Sequence, residues 1–281
     1  MIEKAHAKIN LCLDVKARRS DGYHELDMIM IPLQLHDVLE IEKSDVDHFE
    51  SNDESVPFDQ SHTVIKAYNL MKEQYGINQC VKVKLTKNIP SQAGLAGGSA
   101  DGAAMVRAMN QLFELQADDE QLAKLCLKIG ADVPFCYYQK PSIVQGIGEK
   151  IKRFEFLWDP HVLLVKPQMG VSTKDAYQTL NIEACDHLES DLIVDLLQNN
   201  TCEHIGPLLK NSLEYSAFRL VPQLKTLKQQ IKEQGLDIVL MSGSGSTMFA
   251  ISEDEQLIEK AYQYFKQDES LFVCKTQFFK A

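Results

Sequence analysis

Residues 90–102 read PSQAGLAGGSADG, with four glycines and three alanines between a lysine-bearing strand pattern and a helical one. From Ala93 to Gly98 the side chains shrink to hydrogen or methyl, apart from Leu95, which can anchor the loop. The sequence turns helical at about Ser99. The first amides of a helix have no internal partners and carry partial positive charge, so they suit a phosphate. Ser99 adds a hydroxyl that can reach a phosphate oxygen or a metal ion. A plain linker would neither hold a leucine midway nor run straight into an apolar helical stripe. The G-x-x-x-x-G-K-[ST] and G-x-G-x-x-G patterns do not occur here, so the loop is neither a P-loop nor a dinucleotide fingerprint. A second bare segment, SGSGS at 242–246, follows the apolar run IVLM and reads as a tight turn whose amides and hydroxyls can also face phosphates.

Two charged residues stand in unusual settings. Lys8 alternates with Ala7 and Ile9 in an apolar strand pattern, two residues from Asn10. Its ordinary reading is a solvated surface lysine. Asp132, in GADVPF, lies just past a helix stop, in a turn that Pro134 should keep extended. Its ordinary reading is a cap or a solvated turn residue.

Several elements must position these groups. Ala5, Ala7, Ile9, Leu11, Leu13 and Val15 form one face of a half-buried strand, with His6, Lys8, Asn10, Cys12 and Asp14 on the other. A loop with Asp21-Gly22 as its turn follows, then strand-like runs at 26–33 and 38–43 and an acidic loop-like segment from 44 to 61. Helices are expected over 62–75, closed by Gly76, after Ser99, and over 118–130. CVKVKLTK (80–87) and SIVQGIGEK (142–150) read as strands. A boundary falls at about 153–160, giving domains 1–155 and 156–281. Beyond it the order strand, helix, strand, strand, helix, strand suggests an α+β unit of the ferredoxin-like sort.

The totals set limits. The chain has 281 residues, 29 lysines and arginines against 40 acids, and a formal net charge of −11. That excludes general attraction to nucleic acid or an anionic membrane, so an anionic ligand must be held by a local cluster of donors. The seven cysteines, at 12, 80, 126, 136, 185, 202 and 274, include no C-x-x-C pair and read as reduced thiols. With no signal peptide and no run of about 20 apolar residues, the expectation is a cytoplasmic protein, monomer or homodimer.

The loop Pro90, Ser91, Gln92, Ala93, Gly94, Leu95, Ala96, Gly97, Gly98, Ser99, Ala100 resembles P-x(3)-G-L-[AG]-G-[GS]-S-[AS], the ATP loop of the GHMP small-molecule kinases. The strand lysine, this loop and SGSGS also stand in that superfamily's order, and the resemblance extends over nearly the whole chain. AKINL (7–11), RSDGYHEL (19–26), GADVPF (130–135) and GIGE (146–149) are most similar to the branch acting on 4-diphosphocytidyl-2-C-methyl-D-erythritol. The resemblance implies an α+β two-domain fold, with an N-terminal unit like ribosomal protein S5 domain 2 and a ferredoxin-like C-terminal unit. It implies ATP as co-substrate with Mg²⁺, for which Ser99 is a candidate ligand. It makes Lys8 the catalytic lysine and Asp132 the catalytic acid residue. Asn10, Tyr23 and His24 would recognise the cytidine end of the acceptor, and Thr173, Gly243 and Ser244 would line its cavity. One departure is His62-Thr63, where the family usually places Asn-Leu near the adenine site. Two alternatives stay open: a kinase of this fold for another alcohol, such as homoserine or a mevalonate derivative, and a catalytically silent nucleotide-binding homologue. The AKIN and DGYH segments argue against the first; Lys8, Asp132 and Ser99 together argue against the second.

Overall fold

The computed structural model describes residues 1–53, 57–187, 189–199 and 205–280. Cys202 and part of the acidic 44–61 segment lie outside the described residues. Among those described, no cysteine is in a disulfide and no helix is long and apolar enough to cross a membrane.

Two compact units interleave along the chain. The first contains residues 1–7, 35–91 and 96–139, the second 8–34, 92–95 and 140–281. The long strands β1 (Ile2–Arg18) and β2 (His24–Ser44) pair with each other, and each gives residues to both units. The two strand-like runs of the sequence are one continuous strand, β2. Its hydrophobic pattern breaks near Gln34–His36, yet the backbone stays extended and takes up new partners beyond that break.

In the first unit, Val38–Ser44 of β2 pair antiparallel with β4 (Cys80–Thr86). The short β3 (His48–Ser51), inside the segment expected to be loop, adds to β4 in parallel. In β4 the period of two is clean: Val81, Val83 and Leu85 are buried, Lys82 and Lys84 exposed. The helices follow their signals. His62 caps α1 (Thr63–Tyr75) by accepting from the Val64 amide, and Gly76 ends it at φ +63°. Asp118 caps α3 (Asp119–Ile129) in the same way. Between them α2 (Gly97–Leu112) packs on α1 and on α4 (Val133–Tyr138), burying Met105, Val106 and Met109.

In the second unit, β2 pairs through Leu26–Met30 with β5 (Ser142–Gly146), which pairs with β6 (Lys150–Arg153). A second sheet holds β7 (His161–Pro167), β8 (Ile238–Met241), β9 (Met248–Ser252) and β10 (Leu271–Gln277). Its order is β10-β7-β9-β8 with every neighbour antiparallel. For a βαββαβ chain this is the ferredoxin-like arrangement, as the element order suggested. The helices between β7 and β8 are α5 (Thr173–Gln178), α6 (Ser190–Gln198), α7 (Glu214–Leu220) and α8 (Gln223–Glu233), and α9 (Glu255–Phe265) joins β9 to β10.

Candidate active site

In the second unit the site is built on β1. Both faces of this strand are covered from Ala5 to Val15, which corrects the half-buried reading. The face expected to be solvated carries Lys8 at 3% exposure, Asn10 at 1%, Cys12 at 0% and Asp14 at 0%. Its neighbours come from distant sequence. The Lys8 ammonium donates to Asn10 Oδ1 at 2.6 Å, and Asn10 Nδ2 donates to the Met28 sulfur at 3.3 Å. Asp14 accepts from Lys16 Nζ at 2.8 Å and from Ser212 Oγ at 3.3 Å, with His187 Nδ1 3.1 Å away. Burial pushes the Cys12 thiol up to about 12, so it is a core group and not a nucleophile.

The start of the glycine loop docks against this strand and against the 242–247 segment. Leu95 O accepts from the Lys8 amide at 3.0 Å, Gly94 O from Ser242 Oγ at 2.9 Å, and Ala93 O from the Thr247 amide at 3.3 Å. Leu95 is 1% exposed, the anchor expected of it. Gly94 has φ +72°, and a Cβ built there would lie 2.0 Å from Ser242 O. Gly94→Ala should therefore destabilise the protein by roughly 1–3 kcal/mol. An unfolding midpoint equal to wild type would contradict this close approach. Gly243, at φ +56°, is the mirror case: its Cβ would lie 3.2 Å from Lys8 Nζ and 3.4 Å from Asn10 Oδ1. A side chain there would crowd the ammonium and strain a backbone held at positive φ. Ser244 Oγ and Thr173 Oγ1 lie 2.8 Å apart, so these two expected acceptor residues share a hydrogen bond.

Tyr23 and His24 part company. Tyr23 is 62% exposed, while the His24 ring stacks on Tyr177 with centroids 4.9 Å apart and planes 27° apart. Burial, with the nearby Arg18 charge, lowers the His24 pKa, so the ring favours its neutral form. Arg19 bonds Asp21 and Glu25 at the edge of this turn.

In the first unit the rest of the loop becomes the start of α2, at Gly97, two residues earlier than the pattern suggested. The glycine pair carries no apolar periodicity, which hid the first turn. Ala96, at φ +57°, precedes it and gives no side-chain cap, so the first amides are left to other partners. Gly98 O accepts from Thr63 Oγ1 at 2.5 Å. The His62-Thr63 departure thus has a local role, one residue capping α1 and the other holding the loop. A Cβ on Gly97 would lie 3.0 Å from Ile89 and 3.4 Å from Lys87 Nζ. That lysine bonds Asp37 and, at 2.6 Å, Asp101. Burial works against the Lys87 ammonium, but the two carboxylates outweigh it and raise its pKa. Burial raises Asp101 in turn, with Lys87 opposing and the Asp37 charge adding.

Asp132 is not in an extended turn. It sits at the N-cap of α4 with φ −83° and ψ −12°, and Pro134 lies within the first helical turn. Proline is tolerated there because those amides have no intrahelical acceptor. The Asp132 side chain makes no capping bond, while its carbonyl accepts from the Cys136 amide at 3.1 Å. The far end of α4 is held by Arg107, whose Nη1 donates to Cys136 O at 2.9 Å and Tyr137 O at 3.3 Å. Lys8 belongs to the second unit and Asp132 to the first.

Three contributors escaped the sequence reading: Tyr177, Asn211 and the Asp37–Lys87–Asp101 cluster. Thr63, noted as part of the His62-Thr63 departure, instead proves to hold the glycine loop.

The family model described as GHMP kinases N terminal domain matches residues 62–140, and that described as GHMP kinases C terminal matches 193–269. A 4-diphosphocytidyl-2-C-methyl-D-erythritol kinase of Clostridium beijerinckii is 38% identical over 276 residues, covering 97% of this chain and 99% of that protein. One of Bacillus velezensis is 40% identical over 266 residues, covering 93% and 91%. A crystal structure of 4-(cytidine 5'-diphospho)-2C-methyl-D-erythritol kinase superposes with a TM-score of 0.86 at 32% identity, covering 100% of both chains. The chain belongs to the GHMP kinase family and is an ATP-dependent small-molecule kinase.

Proposed function

We infer that the protein transfers the γ-phosphoryl group of ATP to the 2-hydroxyl of 4-diphosphocytidyl-2-C-methyl-D-erythritol, a step towards isoprenoid precursors outside the mevalonate route. The observation that carries this reading is the full-length likeness to kinases of that name, joined to Lys8 and Asn10 in one buried, hydrogen-bonded pair. Transfer is direct and in line, since phosphoryl transfer asks for positioning and charge stabilisation more than covalent help. Lys8 holds the acceptor oxygen and stabilises charge as the phosphoryl group moves. Asp132 orients the acceptor hydroxyl and takes its proton late. The residues 90–100 bind the triphosphate through backbone amides. Gly243 and Ser244, with Thr173, line the acceptor cavity, and Asn10, Tyr23 and His24 receive the cytidine. The His24–Tyr177 stack supports this by offering flat aromatic surface for a base.

Mg²⁺ fits a site of this kind. No cluster of three or more His, Cys, Asp or Glu side chains stands ready for a metal among the described residues. The Ser99 hydroxyl, an oxygen donor at the start of α2, would serve as a protein ligand to an ion held mainly by phosphates and water. When bound, the ion neutralises charge on the phosphate oxygens. The division at 155/156 is part of the same reading; the two family matches fall on either side of it.

The test is an ATP-turnover assay over a panel of alcohols that includes the cytidyl methylerythritol, homoserine and mevalonate. The cytidyl compound should be the preferred acceptor, and cytidine diphosphate should compete with it. An acceptor site indifferent to cytidine diphosphate would point to another alcohol.

A further inference from the structure

We propose that Asn211 is a positioning residue for phosphoryl transfer, which holds the 242–245 turn against the Lys8 ammonium. This rests on the reading of Lys8 as the catalytic lysine. Asn211 belongs to no helix or glycine-rich segment, and it is 6% exposed. Its backbone runs beside β1 as a parallel bridge to Leu13, five residues beyond Lys8. There Leu13 N donates to Lys210 O and Ser212 N to Leu13 O, each at 2.9 Å.

From that anchor the carboxamide reaches across to the turn. Asn211 Nδ2 donates to Met241 O at 2.7 Å and to Gly243 O at 2.8 Å, while Oδ1 accepts from Leu213 N at 2.9 Å. Glu214 Oε1 accepts from the Met241 amide at 2.9 Å. The last residue of β8 is thus held on both sides by one short segment, and the first glycine of the turn is held with it. That glycine is the residue whose Cβ would lie 3.2 Å from Lys8 Nζ. The chemistry demands an amide at 211: two carbonyls need two N–H donors, and an aspartate of the same shape has none. Strand β1 therefore carries the lysine and also anchors the side chain that sets the lysine's neighbour. A misplacement of about 1 Å near reacting groups can cost on the order of a hundredfold in rate.

The plain structural alternative is that Asn211 only shapes the entry to α7 through its bond with Leu213 N. Asn211→Asp separates the two, because it keeps size and the acceptor and loses both donors. We would measure kcat and KM with ATP and the cytidyl methylerythritol for wild type, Asn211→Asp, Lys8→Ala and the double variant. Amide exchange would be followed by mass spectrometry. The expected result is a fall in kcat of about thirtyfold in Asn211→Asp with KM for ATP within about threefold. Exchange should rise in the peptide covering 241–247 and not in β7 or β10. In the Lys8→Ala background the same change should alter the residual rate less than about threefold. An equal fall in both backgrounds, or faster exchange throughout the unit, overturns the proposal. Should Asn211→Asp not fold, Asn211→Ser, with one hydroxyl donor, must lose rate with the same local exchange; a wild-type rate overturns it. Near-normal turnover in Lys8→Ala alone would overturn it through the lysine, and the local exchange result would still report what Asn211 holds.

Discussion

Lys8→Ala should lower kcat at least about a hundredfold while the chain still folds, a loss of roughly 2.7 kcal/mol of transition-state stabilisation. Lys8 is buried, at 3% exposure for the residue, so its charge acts with reduced screening by water. It is aimed by the 2.6 Å bond to Asn10 and by the turn at Gly243. Alanine removes the charge and the hydrogen bond to Asn10. Folding should survive because the backbone bond from Lys8 N to Leu95 O is kept. The cost of an unpartnered Asn10 oxygen, about 1–3 kcal/mol, is partly offset because a buried ammonium no longer has to be desolvated. Steady-state kinetics beside a thermal unfolding curve decide the matter. Turnover near wild type would remove Lys8 from catalysis.

Asp132→Asn should give a second loss of kcat of at least about a hundredfold, again roughly 2.7 kcal/mol, with the unfolding midpoint little changed. The substitution keeps the shape of the side chain and removes its negative charge and its capacity to take a proton. The side chain makes no capping bond that the change could remove, and the bond from the Cys136 amide uses a backbone carbonyl that the change leaves alone. Because Arg107 and Tyr137 fix the C-terminal end of α4, the helix should hold its place. A midpoint several degrees lower with normal kcat would make Asp132 a structural residue and no more.

Local chemistry was legible in the chain wherever its cause is local. His62 and Gly76 bracket α1 and Asp118 opens α3 because caps act within one helical turn. Alternation in β4 marks its buried side because successive strand residues point to opposite faces. The glycine loop announced a helix start, although a pair of glycines without apolar period concealed its first turn. The four-stranded sheet followed from element order, since few topologies connect such a series.

What failed to show were matters of cover and of distant partners. Alternation in β1 placed Lys8, Asn10 and Asp14 on one face, but nothing local says whether that face meets water or protein. Its cover comes from Met28, the 242–245 turn, Ser212 and His187, the last three about 170 or more residues away from their contacts. Tyr177 beside His24 and Asn211 behind Gly243 are invisible for the same reason. Asp132 misled in a different way: the proline rule for extended backbone lost to the tolerance of proline in a first helical turn. The sequence alone therefore determined the candidate groups of this kinase and most of the elements that carry them. Only tertiary structure decided that Lys8 is buried with its ammonium bonded to Asn10, because burial is set by side chains that meet across long stretches of chain.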